Sequence, residues 1–203
     1  MMEQTKFKAF IRKQKLALRN NIPEEQRILW SMDIINHLQT NPLYLNNNTI
    51  FLYSSYKSEV DTNVLIQHAL QDNKRVFCPK VHDDEMEFYQ IYSPDDLISG
   101  YKGIKEPSAD ENNIYPKNTS SDESVLIILP LAAFNKNCQR IGYGKGYYDK
   151  YLSKLKGSFY TIGLAYDIQF EPDFTADEFD YPLDYIITEK KIYFKGGSNS
   201  WNI

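Results

Sequence analysis

Ten residues, Arg140 to Asp149, read Arg-Ile-Gly-Tyr-Gly-Lys-Gly-Tyr-Tyr-Asp and gather the chemistry of this chain into one stretch. Gly142, Gly144 and Gly146, three of nine glycines, alternate with Tyr143 and Lys145. A glycine at every second position admits positive φ and lets the backbone come close to a ligand. Arg140 and Lys145 add cations, and Tyr147 and Tyr148 add flat faces. Asp149 stands where an amphipathic helix begins, with Tyr148, Tyr151, Leu152 and Leu155 on one side. Backbone amides, cations and a helix N-terminus together favour a polyanion, most simply the phosphates of a nucleotide. The stretch is not a Walker loop, because the spacing before Lys145 is wrong and Tyr147 stands where Ser or Thr would hold magnesium. Nor is it a dinucleotide fingerprint, since the spacing is Gly-x-Gly-x-Gly. The residues by themselves lead to an anion-binding loop, with a glycine-rich surface turn before a helix as the rival reading.

Two further places carry candidate side chains. Lys8 and Arg12 lie four apart and project from one side of a helix, which suits a clamp on phosphate as well as it suits a solvated basic face. Glu59 lies in Ser54-Ser55-Tyr56-Lys57-Ser58-Glu59-Val60, a loop that leaves a strand at its carboxyl end, where open α/β sheets build their ligand crevice. The other reading of Glu59 is a solvated loop carboxylate. Cys78 and Cys138 are too far apart for a zinc pattern and too few for a disulfide framework, so both are read as reduced, with Cys138 the more exposed. His37, His68 and His82 have no metal-ligand spacing.

The elements that must position these residues alternate between helix and strand. A helix is expected over 3–20, with Phe7, Phe10, Ile11, Ala17 and Leu18 as its apolar stripe and its lysines and arginines on the other faces. A second helix starts near Pro23 and runs to about Leu38. Thr49–Tyr53 reads as a strand, Asp61–Asp72 as a helix with Val64, Leu65, His68 and Ala69 inward, and Arg75–Lys80 as the next strand. Glu85–Tyr92 reads as an edge or hairpin strand, Ser93–Leu97 as a capped short helix, and 103–107 as a loop. Residues 108–124 are rich in Asn, Ser, Asp and Glu and read as a connector. Val125–Leu131 is the most hydrophobic run and reads as the central strand, buried on both faces. Phe159–Tyr166 and Tyr185–Thr188 are further strands. Strand, helix and strand at these lengths favour a parallel sheet with crossover helices, hence an α/β chain forming a single three-layer α/β/α domain over residues 1–203 with a mainly parallel sheet.

Leu129-Pro130-Leu131-Ala132-Ala133-Phe134 followed by Arg140 to Leu152 resembles the signature of the 5-formyltetrahydrofolate cyclo-ligase family, also called methenyltetrahydrofolate synthetases. The resemblance implies a Rossmann-like arrangement of the NagB/RpiA type and an ATP-dependent conversion of 5-formyltetrahydrofolate to 5,10-methenyltetrahydrofolate, with release of ADP and phosphate. It implies ATP contacts from Lys8, Arg12 and the run Arg140, Ile141, Gly142, Tyr143, Gly144, Lys145, Gly146, Tyr147 and Tyr148, with Arg140 and Lys145 acting in catalysis. It implies substrate contacts from Ser54, Glu59, Tyr143, Gly144, Lys145, Gly146 and Tyr147, and Gly103-Ile104-Lys105-Glu106-Pro107 is similar to a family segment near the substrate, where an aromatic at about Tyr101 would stack on the pterin. Magnesium would be associated with Asp149 and Asp180, which otherwise read as cap or turn carboxylates; Asp184 follows Asp180 as the family pattern requires.

A chain of 203 residues with 42% hydrophobic and 25% charged residues has an ordinary globular composition. Its formal charge of −4 offers no general attraction to nucleic acid. No apolar run approaches the roughly 18 residues that span a membrane, and the basic N-terminal segment has no signal-peptide core. A cytoplasmic monomer acting on small molecules, without nucleic acid or membrane partners, is the expectation. Two alternatives stand beside it: an ATP-dependent kinase on another small metabolite, and a non-catalytic folate or nucleotide binder.

Overall fold

Val-Leu-Ile-Ile-Leu-Pro at 125–130 forms strand β6, every residue of which is buried. Successive strand side chains point to opposite faces. Accordingly, Leu126 and Ile128 enter one core and Val125, Ile127 and Leu129 the other. The first core is closed by helices α2 (Glu24–Gln39) and α4 (Asn63–Gln71) through Ile34, Ile35, Leu38, Leu65, Ile66 and Ala69. The second is closed by α5 (Tyr147–Lys154) through Tyr151 and Leu152. Two helical layers thus sandwich one sheet, as expected.

A computed structural model describes residues 2–100, 103–117, 123–177, 180–195 and 197–200. Tyr101, the aromatic expected beside the pterin, lies outside the described residues. The remaining elements are α1 (Met2–Asn20), α3 (Pro42–Asn46), β1 (Thr49–Phe51), β2 (Arg75–His82), β3 (Glu85–Ile91), β4 (Leu97–Ser99), β5 (Lys105–Pro107), β7 (Ala133–Phe134), β8 (Arg140–Ile141), β9 (Phe159–Leu164), β10 (Tyr185–Ile187), β11 (Lys191–Phe194) and β12 (Gly197–Ser200). The main sheet runs β12-β11-β10-β9-β6-β1-β2-β3. It is parallel from β10 through β2 and antiparallel at both margins. β4 pairs with β5, and β7 with β8, in two small hairpins.

Four expectations change. Helix α1 forms and buries Ile11 as expected, but Phe7, Phe10, Ala17 and Leu18 are exposed, while Lys8 and Arg19 are buried. Around Ile11, which packs with Ala133, Ile141 and Phe174, its inner face is cationic because the surface it covers there is made of carboxylates and backbone carbonyls. Val64 faces solvent, leaving Leu65, Ile66 and Ala69 as the buried side of α4. Residues 105–107 are a strand rather than a loop, since Leu97–Ser99 supplies a hairpin partner. Cys138 is buried like Cys78; its turn folds back on the second core, and its carbonyl accepts from Leu183 N at 3.0 Å. Burial pushes the Cys138 thiol up to about 12. No described helix is long and apolar enough to cross a membrane.

Candidate active site

The glycine-rich loop springs from the β7–β8 hairpin. Asn135, itself buried, pins that turn: its Oδ1 accepts from Asn137 N and Gln139 N, and its Nδ2 donates to Phe174 O at 2.9 Å. The chain then crosses the carboxyl ends of the parallel strands and enters α5, with Gly146 as the cap residue at φ +67°. Gly144 has φ +94°, and a Cβ there would stand 3.3 Å from Arg12 Nη1, so glycine is required by both conformation and space.

Arg140 does not project freely. It is buried, its Nη2 donates to Asp149 Oδ1 at 2.8 Å, and its guanidinium lies 5.8 Å from the Tyr148 ring centre. Asp149 Oδ1 also accepts from Tyr181 N at 3.1 Å. A Cβ at Gly142 would stand 2.9 Å from Arg140 Nη1, so the loop's first glycine makes room for this buried cation. Lys145 is exposed on the loop.

Helix α1 closes the other side. Lys8 Nζ donates to Asp177 Oδ2 at 2.6 Å and also to Asp180 Oδ2. Arg12 Nε donates to Gly142 O at 2.6 Å; burial works against its charge, and the Asp180 carboxylate works the other way. Arg19, three turns along from Lys8 and buried, donates to Ser58 Oγ at 3.0 Å, Leu131 O at 3.3 Å and Tyr143 Oη at 2.8 Å. Sequence reading missed this residue. The signal was present as basic residues at 8, 12, 15 and 19, a spacing that holds one helical face.

Glu59 lies in the loop after β1, where its Oε2 accepts from Tyr56 N at 2.8 Å and its carboxylate accepts from the Tyr143 hydroxyl. Burial pushes the Glu59 carboxyl above its ordinary range, against the pull of those hydrogen bonds and of Arg19. Tyr143 leaves 43% of its surface exposed, yet its hydroxyl is enclosed by Glu59 and Arg19, and burial raises its pKa.

Two cavities meet at the loop. The first, about 340 Å³, is lined by all of Arg140 to Asp149 together with Lys8, Arg12, Asp177 and Asp180. Its cations and loop amides suit polyphosphate. The second, about 380 Å³, is lined by Tyr53, Ser54, Tyr56 and Glu59, by Pro79, Val81 and Met86, and by Ile104, Lys105 and Glu106. Pro130, Tyr143, Lys145, Tyr147 and Tyr148 line both. Gly144 and Gly146 line the first cavity and not the second. Asp177, Tyr56 and Glu106 join the residues expected from the sequence. Asp184 is elsewhere, accepting from Thr161 N and Oγ1.

Asp149 and Asp180 therefore face one cavity, but each is engaged by a cation, Arg140 and Lys8 respectively. Among the described residues, no group of three or more His, Cys, Asp or Glu is placed to hold a metal ion by itself. Two carboxylates at a phosphate site fit magnesium, which takes one or two of them and completes its shell from phosphate and water.

Comparison with known proteins gives a consistent result. The model of the 5-formyltetrahydrofolate cyclo-ligase family matches residues 4–189. A probable 5-formyltetrahydrofolate cyclo-ligase of Schizosaccharomyces pombe is 31% identical over 176 residues, covering 80% of this chain and 85% of the relative. The 5-formyltetrahydrofolate cyclo-ligase of Escherichia coli is 27% identical over 187 residues, covering 90% and 98%. Among solved structures, the 5,10-methenyltetrahydrofolate synthetase of Aquifex aeolicus superposes with a TM-score of 0.79 at 33% identity, over 97% of this chain and 96% of the other. That of Mycoplasma pneumoniae gives 0.71 at 30% identity, over 90% and 99%.

Proposed function

The chain belongs to the 5-formyltetrahydrofolate cyclo-ligase family, and we propose that its two cavities hold the two substrates of that reaction, ATP in the first and 5-formyltetrahydrofolate in the second. The enzyme is an ATP-dependent ligase that closes 5-formyltetrahydrofolate to 5,10-methenyltetrahydrofolate and releases ADP and phosphate. The observation that carries the site assignment is the wall common to both cavities, which sets the cationic face of Lys145 beside an aromatic pocket of pterin size.

Lys8, Arg12, Lys145 and the loop amides bind the phosphates, with Arg140 holding Asp149 and the start of α5 in place. Glu59, with Ser54 nearby, accepts hydrogen bonds from the amino-pyrimidine end of the pterin, as a carboxylate does from paired N–H donors. The formyl oxygen attacks the terminal phosphoryl group and displaces ADP. The bridge nitrogen N10 then attacks the activated carbon, closing the ring as phosphate leaves. No covalent enzyme intermediate is required, so the protein contributes positioning and charge stabilisation. Asp149 and Asp180 would hold magnesium, whose charge offsets that of the phosphates when bound.

A kinase on another small metabolite would use the first cavity but gives no purpose to the second, and that alternative is not favoured. The proposal extends to one domain over the whole chain, acting as a cytoplasmic monomer. Mixing protein, magnesium-ATP and 5-formyltetrahydrofolate and following the near-ultraviolet absorbance of the methenyl product tests it; ATP-dependent appearance of that product is expected, and its absence overturns the reading.

A further inference from the structure

Ring closure leaves a proton to be placed. N10 carries a hydrogen when it attacks, and the methenyl product has none there. The acceptor must be a base with a free lone pair, ionised near neutral pH and open to the folate cavity.

The second cavity offers few such groups. Lys105 and Lys145 are donors only while charged. Tyr143 and Tyr148 are raised by burial and stay protonated. Glu59 is committed, accepting from Tyr56 N and from the Tyr143 hydroxyl, and is reserved for the far end of the pterin. Glu106 is different. It is only 6% exposed, it lines the same cavity, and no hydrogen bond or ion pair engages its carboxylate among the described residues.

Strand β5 holds it there. The β4–β5 pairing joins Ile98 to Glu106, and Lys80 Nζ of β2 donates to Pro107 O at 2.8 Å, fixing the strand next to the carboxylate. The Glu106 side chain packs on Gly100, where a Cβ would stand 2.4 Å from Oε2. A glycine at 100, whose φ is not in the left-handed range, is thus explained by the space that the carboxylate occupies.

We propose that Glu106 is a catalytic residue of ring closure, the base that accepts the N10 proton. The N10 lone pair forms the new C–N bond to the formyl carbon, and the N10–H bond breaks with its proton passing to a Glu106 oxygen. The carbon–oxygen bond then breaks with its electron pair on the departing phosphate, and Glu106 returns the proton to that phosphate or to water. The charged groups that line the same cavity are Lys105 on its own strand, Glu59 of the loop after β1 and Lys145 of the glycine loop, and Lys80 of β2 reaches the carbonyl of the neighbouring Pro107.

This inference rests on the folate assignment of the second cavity, and one experiment separates the two. ADP release and methenyl absorbance are followed together, across pH, for the wild-type enzyme, Glu106→Gln and Gly100→Ala. A wild-type enzyme that makes no methenyl product refutes the assigned activity itself. With wild type active, Glu106→Gln is expected to form methenyl product about 10²–10³-fold more slowly. It should still release ADP in a first-turnover burst. Gly100→Ala, which keeps the glutamate but displaces it, should slow the same step while leaving the affinity for ATP within about threefold; it serves also if Glu106→Gln does not fold. Methenyl formation within threefold of wild type in a folded variant overturns the proposal. So does a parallel loss of ADP burst and product, which would make Glu106 a residue of folate positioning only.

Discussion

Arg19 donates to the hydroxyl of Tyr143 at 2.8 Å, so a residue of the first helix sets the position of a side chain 124 residues later in the loop between the two cavities. The same hydroxyl donates to Glu59, and the same guanidinium reaches Ser58 Oγ and Leu131 O. A hydrogen bond to a charged group contributes about 1.5–3 kcal/mol. Tyr143→Phe is therefore expected to weaken 5-formyltetrahydrofolate binding by about tenfold, measured by titration. Arg19→Met should cost less in the Tyr143→Phe background than alone, and additive effects would show the two side chains to be independent.

Gly144→Ala places a methyl 3.3 Å from Arg12 Nη1 at φ +94°. A non-glycine residue in that region costs about 1–2 kcal/mol, and here the strain falls on the glycine-rich loop, which the proposed function gives to the phosphates. The KM for ATP should rise about tenfold. Gly157→Ala, at φ +92° after α5, is the control: it should lower thermal stability comparably and leave the KM for ATP unchanged.

Lys145→Ala removes an exposed cation from the wall between the cavities. Turnover should fall by roughly 10²–10³-fold, the range for losing one group that stabilises transferring charge. Unfolding free energy should stay within about 0.5 kcal/mol of wild type, as for surface substitutions. A change in turnover below threefold would remove Lys145 from the chemistry.

Glu59 supplies a pH test. Its folded-state carboxyl is raised by burial above the unfolded value, so the folded state binds the proton more tightly. Stability is then highest below the unfolded pKa and falls as pH rises through the folded one. Glu59→Gln removes this loss. The variant should melt above wild type at pH 7, with the difference shrinking toward pH 4, while its folate affinity falls about tenfold. Equal melting at both pH values would show that the ionised carboxylate carries no burial cost.

The loop and the central sheet were legible because each rests on a local pattern. Gly142, Gly144 and Gly146 declare a backbone that must bend and admit a neighbour, and the unbroken apolar run Val125–Leu131 declares a strand buried on both faces, between two cores. The inner face of α1 was not legible. A hydropathy pattern turns Phe7 and Phe10 inward, whereas the surface beneath the helix offers carboxylates to Lys8 and neutral oxygens to Arg19 and draws both down instead. Arg19 meets partners at 58, 131 and 143, and no window on the sequence holds all of them. The run 103–107 lies near the substrate by resemblance but reads as a loop, with no role for Glu106, because a three-residue strand has too few positions to show alternation and its partner β4 is equally short.

Lys8 and Asp180 stand 172 positions apart yet meet at the first cavity. The counter-charges of Lys8 lie 169 and 172 positions downstream, so the pairing closes very long loops and belongs to the non-local contacts that fold slowly.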